Sequence, residues 1–197
     1  ASGSVYIFSW DGSSWNQEAK LTASDGAAGA YFGTSVDIDG DTAVVGAPED
    51  DAGGGSKSGS VYIYTWDGSS WGNETKINFN VPDIMDKFGT TVALDDNVIA
   101  VGVPGDDPMG SASGSVALFR QSETSWAQEA TLYPSDGAAS EYFGNHISLS
   151  NNRLVVGSNY HTVSGVKTGL VYVYKWDSSW AEEARLALSD AAENDSF

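Results

Sequence analysis

Residues able to do chemistry are few in this chain, and most are acidic. Glu49-Asp50-Asp51 directly follows Gly46-Ala47-Pro48, and Asp106-Asp107 follows Gly102-Val103-Pro104. A hard cation such as Ca²⁺ takes about six to eight oxygen ligands, which carboxylates crowded on a tight loop can supply with help from carbonyls. Asp50, Asp51, Asp106 and Asp107 are therefore the expected calcium ligands, set against the plainer reading of a solvated acidic loop. The third corresponding place offers only Asn159 and His161. With no cysteine there is no thiolate metal site and no disulfide. The two histidines, His146 and His161, do not recur in register, and no serine stands in a nucleophile-elbow context. Paired carboxylates lie in loops without an apolar pocket to drive their pKa values apart. No catalytic residue is expected, and Ca²⁺ is the only expected cofactor.

The elements that must position these residues come from an internal repeat. Phe32-Gly33, Phe88-Gly89 and Phe143-Gly144 recur at spacings of 56 and 55, and Phe197 follows 54 later. Trp15, Trp71, Trp126 and Trp180 keep the same spacings, as do Glu18, Glu74, Glu129 and Glu183. Ser2-Gly-Ser-Val-Tyr-Ile-Phe returns as Ser58-Gly-Ser-Val-Tyr-Ile-Tyr, then as Ser113-Gly-Ser-Val-Ala-Leu-Phe and Thr168-Gly-Leu-Val-Tyr-Val-Tyr.

Each unit reads as four short strands. In the first full unit they span 34–39, 42–47, 60–66 and 71–79, with Gly40-Asp41 suited to a two-residue hairpin. Val61 and Ile63 point one way, while Tyr62, Tyr64 and Trp66 point the other, so the sheet needs cover on both faces. Ser35 and Asp37 are expected to turn toward a central channel. A four-stranded sheet covered on both sides and repeated without helices stacks radially on copies of itself, as in a β-propeller. A β-sandwich is the alternative, but it does not demand such regular units. The expectation is a single, partial β-propeller domain over 1–197: an outer half blade at 1–31, then repeats at 32–87, 88–142 and 143–196. The long connections (48–58, 104–113 and 160–168 within units; 25–31, 81–87 and 136–142 between them) fall on one face, where binding is expected. The repeated tryptophans are expected to pack the outer hairpins rather than to stack on sugars. Alone, such a piece leaves Tyr6, Phe8 and Trp10 uncovered and is expected to self-associate. Closure takes about four to eight blades, so the visible stretch is expected to belong to a longer chain or to be completed by neighbouring copies.

Composition narrows the partners. Twenty-seven Asp and Glu against nine Lys and Arg leave a net charge of -18. Such a surface repels phosphate backbones and anionic lipid, so neither nucleic-acid binding nor membrane insertion is expected. No apolar run approaches the length of a membrane helix, and no basic-plus-apolar leader opens the sequence. Two sequons, at Asn73 and Asn194, matter only in a eukaryotic secretory pathway.

Phe32-Gly33 followed thirteen residues on by Gly46-Ala47-Pro48 resembles the FG-GAP repeat of integrin α chains and of bacterial surface and secreted proteins. The resemblance implies a propeller of typically seven blades, an extracellular, secreted or cell-surface setting, adhesion or recognition of a protein or glycan on the long-loop face, and calcium in some blades. Later units depart from it, with Gly102-Val103-Pro104 and Gly157-Ser158-Asn159. The family's calcium loop runs Asp-x-Asp-x-Asp-Gly-x-x-Asp. Here Asp37, Asp39 and Asp41 match its start, but Thr42 and Val45 replace its Gly and closing Asp, so an ordinary hairpin is expected there. The alternative to a recognition, adhesion or structural module is a propeller appended to a secreted hydrolase whose catalytic domain lies outside these residues.

Overall fold

In the computed structural model, residues 2–52, 55–123, 125–163, 165–190 and 192 are described; Phe197 and the Asn194 sequon lie outside them. Among the described residues all regular structure is β, with no helix. A two-stranded sheet, β1 (Val5–Trp10) and β2 (Trp15–Leu21), comes first. Blade I follows with β3 (Ser35–Asp39), β4 (Thr42–Ala47), β5 (Ser60–Trp66) and β6 (Trp71–Ile77). Blade II holds β7 (Val92–Asp95), β8 (Val98–Val103), β9 (Ser115–Ser122) and β10 (Ser125–Leu132). Blade III opens with β11 (His146–Ser150) and β12 (Arg153–Ser158). Its long loop then forms a small ribbon of β13 (Thr162–Val163) and β14 (Val166–Lys167), a departure from the plain loop expected there, before β15 (Leu170–Trp176) and β16 (Trp180–Leu186). Each blade is antiparallel, with consecutive strands as neighbours.

Local chemistry explains the turns. Asp39 pairs with Thr42 across Gly40-Asp41, and Gly40 has φ 53°. The matching turns place Asp96 at 54°, Asn151 at 50° and Asn152 at 62°, residues that tolerate the left-handed region better than most. In the outer turn of blade I, Asp67 Oδ1 accepts the N–H groups of Ser69 and Ser70, both at 2.8 Å. Hydrogen bonds from Ser69 and Ser70 hold the Asp67 carboxyl down at about 2. A tryptophan pair straddles three outer turns: Trp10–Trp15, Trp66–Trp71 and Trp176–Trp180, with ring centroids 5.7, 5.9 and 5.7 Å apart.

Both faces of the blades are used. Tyr62, Tyr64, Val45 and Phe32 pack with Leu21 in one core, between the two-stranded sheet and blade I. Val44, Val61 and Ile63 turn the other way, to Phe88, Ile99 and Phe119 of blade II. Leu118, Val116 and Ala100 of blade II then meet Phe143, Leu154 and Tyr172 of blade III. Trp71, Trp126 and Trp180 pack one against each core, as structural residues.

Polar contacts join the inner strands. Ser35 Oγ, Asp37 Oδ2 and Asp39 Oδ2 accept the backbone N–H groups of Val92, Leu94 and Asp96 at 2.9, 2.8 and 2.7 Å. The alternation expected to face a channel is thus spent on the exposed edge of β7. An open row of N–H groups would otherwise cost free energy or invite foreign strands.

The Phe-Gly and Gly-Ala-Pro glycines meet at the seam between blades. Gly33, Gly89 and Gly144 have φ 90°, 92° and 88°, and each donates its N–H to Gly46, Gly102 or Gly157 of its own unit at 3.0 to 3.2 Å. A Cβ on Gly46 would lie 2.0 Å from the Gly89 carbonyl oxygen, and one on Gly102 would lie 2.0 Å from that of Gly144. Gly157 has nothing nearer than 3.4 Å. Gly46→Ala and Gly102→Ala should therefore each destabilise by about 3 kcal/mol, because backbone must move. Gly157→Ala should be neutral or slightly stabilising by chain entropy. Denaturant unfolding of the three variants checks the contrast.

Candidate functional site

Backbone hydrogen bonds lay the two kinds of long loop side by side. Met85, Lys87 and Phe88 donate N–H groups to the carbonyls of Ser56, Lys57 and Ser58 at 3.1, 3.1 and 2.9 Å. One unit on, Ser140, Tyr142 and Phe143 repeat this with Ser111, Ala112 and Ser113 at 2.8, 3.1 and 3.0 Å. Both loop types therefore share a face, as their lengths suggested. A groove of about 780 Å³ runs between the loops of blades II and III on that face. Its walls include Lys87, Ser111, Tyr142, Asn159, Tyr160 and Lys167.

Under the loops, one place recurs in three chemical versions. In blade I, buried Asp50 accepts hydrogen bonds from Ser60 Oγ at 2.7 Å and Lys76 Nζ at 2.8 Å. Lys76 also reaches Asp25 Oδ2 at 2.6 Å, while the Tyr62 hydroxyl donates to Asp25 Oδ1 at 2.7 Å. Lys76 and Tyr62 together hold the Asp25 carboxyl below its ordinary value. In blade III the matching residue is His161, also buried, with Nδ1 3.0 Å from Glu141 Oε2. Tyr172 donates to Asp136 Oδ1 at 2.7 Å, and Arg185 pairs with the other oxygen. Burial works against ionised Asp136, but the Tyr172 hydroxyl, His161 and Arg185 together keep its carboxyl below the usual range.

Blade II lacks this cation. Val81, Ala117 and Thr131 stand where blade I has Asp25, Tyr62 and Lys76. Asp86, 2% exposed, faces the charges of Asp83, Asp106 and Asp107, and its Oδ2 accepts the Asp83 N–H at 2.5 Å. Burial pushes the Asp86 carboxyl up to about 6, reinforced by Asp106, Asp83 and Asp107 and opposed by the Asp83 bond. Burial also raises Asp106, whose Oδ2 accepts from Ser115 Oγ at 2.5 Å.

The four expected calcium ligands are thus brought together only in pairs. Asp50 is taken by Lys76 and Ser60; Asp51 Oδ1 accepts the Lys57 N–H at 2.9 Å, and Asp107 Oδ1 accepts that of Ala112 at 2.5 Å. Among the described residues, no three His, Asp or Glu side chains converge on a position that could hold a metal ion. Glu74 and Lys76 alternate along the outer strand in the manner of solvent-facing charges, yet both are engaged. Glu74 ties down Ser24, with Oε1 2.6 Å from its hydroxyl, and Lys76 is the central cation of blade I. The signal was present: Asp25, Tyr62 and Lys76 return together as Asp136, Tyr172 and Arg185, and vanish together in the unit between.

Asp86 ties stability to pH. Unfolded, an aspartate releases its proton near pH 4; folded, Asp86 does so at about 6. Between these values the folded state holds the extra proton, so stability falls as pH rises, by on the order of 2 kcal/mol. Asp86→Asn should flatten that fall and melt higher than wild type at pH 7. Melting curves from pH 4 to 7 check it; a wild-type stability that rises across this window contradicts it.

A family model, the FG-GAP repeat, matches residues 15–64, 71–119 and 126–174, most of the chain. Each match starts at an outer-strand tryptophan and ends in the third strand of the next sheet, so one sequence repeat spans the seam between two blades. No curated protein matches the chain. The motif glycines at each seam and the three family matches agree: this chain belongs to the FG-GAP repeat family.

Proposed function

We propose that the chain is a non-catalytic recognition or adhesion module of an extracellular or cell-surface protein, contacting a protein or glycan through its long-loop face. FG-GAP repeats typically occur in such proteins and are generally non-catalytic. The groove between the loops of blades II and III carries this reading. A recess of about 780 Å³ falls within the size range of small-molecule and short-oligomer sites, on rigid sheets that present variable loops. Neither histidine has the surroundings of a catalytic group: His161 is locked against Glu141 and Tyr172, and His146 is exposed at the start of β11. Self-association through the exposed aromatics Tyr6, Phe8 and Trp10 is a second proposed contact. Screening the chain against glycan and protein arrays, with Ser111→Trp to fill the groove, tests the main reading. Genuine ligands should weaken more than tenfold with the variant. Ligands indifferent to it would place recognition elsewhere.

Calcium is proposed for Asp106 and Asp107 alone, because among the described residues neither makes an ion pair, whereas Asp50 is paired with Lys76. Millimolar Ca²⁺ should then raise the melting temperature beyond matched Na⁺. A hundredfold excess over Kd would add about 2.7 kcal/mol. Asp106→Asn with Asp107→Asn should remove the difference. Equal responses to Ca²⁺ and Na⁺ would reduce the effect to charge screening.

A further inference from the structure

On the reading of the loop face as a recognition surface, on which this inference rests, we infer that the groove between blades II and III binds an acidic sugar. Its anionic group would lie at Lys87 and Lys167. Cations are scarce here, nine Lys and Arg in all. Lys57, Lys76, Arg120, Arg153 and Arg185 each pair with a carboxylate. Lys20 lies over the Tyr6 ring, and Lys175 sits in the field of Glu183. Among the described residues, Lys87 and Lys167 form no ion pair, and both line this groove. With three acids for every base in the chain, leaving two ammonium groups unanswered in one recess marks it for an anion from outside. The groove also holds one carboxylate, Asp107, whose Oδ1 accepts the Ala112 N–H.

Backbone strain is concentrated in the same place. Thirteen described non-glycine residues have positive φ, and five of them line the groove: Met85 at 71°, Lys87 at 58°, Ala112 at 51°, Ser140 at 65° and Tyr142 at 54°. Lys87, Tyr142 and Ala112 repeat a conformation that Tyr31 (55°) and Lys57 (57°) already hold in blade I, so the repeat itself asks for it; Met85 and Ser140 are the two that differ. Blade I has Gly29, at 91°, where blades II and III carry Met85 and Ser140. Glycine is the unstrained choice in this region. Side chains held there against that cost cluster at ligand-gripping sites.

The remaining groups select a sugar over other anions. Tyr142 and Tyr160, with ring centroids 5.5 Å apart, are both partly exposed and offer apolar faces to the C–H side of a pyranose. Thr90, Ser111 and Asn145 add hydroxyls and an amide suited to a hydroxyl-rich ligand. Among the described residues Asn159 Oδ1 is buried there without a hydrogen-bond partner, as are Ser58 Oγ, Trp71 Nε1 and Trp180 Nε1 away from the groove.

Calorimetric titration of the whole chain decides the matter. The probes are a galacturonate tetramer, a sulfated galactose tetramer, the neutral galactose tetramer and a short oligoglutamate peptide, at about 0.15 M salt. The carboxylated or the sulfated sugar, or both, should bind at least tenfold more tightly than the neutral one, and these two arms identify the anion. Lys87→Ala and Lys167→Ala should each weaken acidic-sugar binding about tenfold and leave neutral-sugar binding unchanged, with Lys20→Ala matching wild type. Equal affinity for the neutral sugar, preference for the peptide, indifference to both lysine variants, or no acidic-sugar binding at millimolar concentration overturns the inference. Neutral-sugar binding abolished by Ser111→Trp would keep the recognition face and remove only the charge preference. Acidic-sugar binding that survives Ser111→Trp would remove both. Met85→Gly and Ser140→Gly should each raise the melting temperature by about 2–4 °C and weaken the acidic sugar. A higher melting temperature with unchanged affinity would overturn the role given to the strained backbone.

Discussion

Close backbone approach between successive units is the constraint on which the array depends. Gly46 meets the carbonyl of Gly89, and Gly102 meets that of Gly144, at a separation that excludes any side chain. Because the same Phe-Gly glycines need a positive φ, each blade is locked to its own second strand and to the preceding blade at one point. That point sets how far apart the sheets lie, and hence which apolar side chains interdigitate in each seam. The phenylalanine beside it completes the arrangement: Phe88 and Phe143 are fully buried, each filling the core between two blades.

Much of this was legible before any coordinates. Recurrence of Phe-Gly, Trp and Glu reported the units, and apolar residues on both sides of 60–66 called for cover on two faces, which the cores at the seams supply. Turn residues such as Gly40 and Asp41 announced the hairpins through their own chemistry. Side chains acting across seams were harder to read. Asp37 and Asp39 look like the start of a metal loop or a channel lining, and only the neighbouring strand shows that they receive its N–H groups. Lys76 looks like an edge charge until Asp25, from the connection before blade I, folds over it. Such partners are about fifty residues away, and spacing within a unit carries no trace of them.

Equivalent places in the three blades have drifted in polarity while the backbone stayed. Asp50, Asp106 and His161 occupy one position; Ala30, Asp86 and Glu141 occupy the one beside it. Blade I neutralises its acid with lysine, and blade III sets imidazole against carboxylate. Blade II leaves its acids facing one another. The scaffold thus tolerates opposite electrostatic solutions at a fixed geometry, which lets the loop above each blade vary without disturbing the seam below. The groove draws on that tolerance, since its walls come from two blades with dissimilar interiors.

The contacts from Ser35, Asp37 and Asp39 to β7 also bear on how the molecule carries mechanical load. These three bonds run side by side along one seam, at nearly equal lengths. When neighbouring sheets slide past each other along the strand axis, all three stretch at once and share the force. Prising the seam open from one rim loads them in turn, like a zip. A protein anchored so that tension acts along its inner strands would hold far longer than one pulled across them, and the direction of attachment would then matter as much as the strength of any single contact.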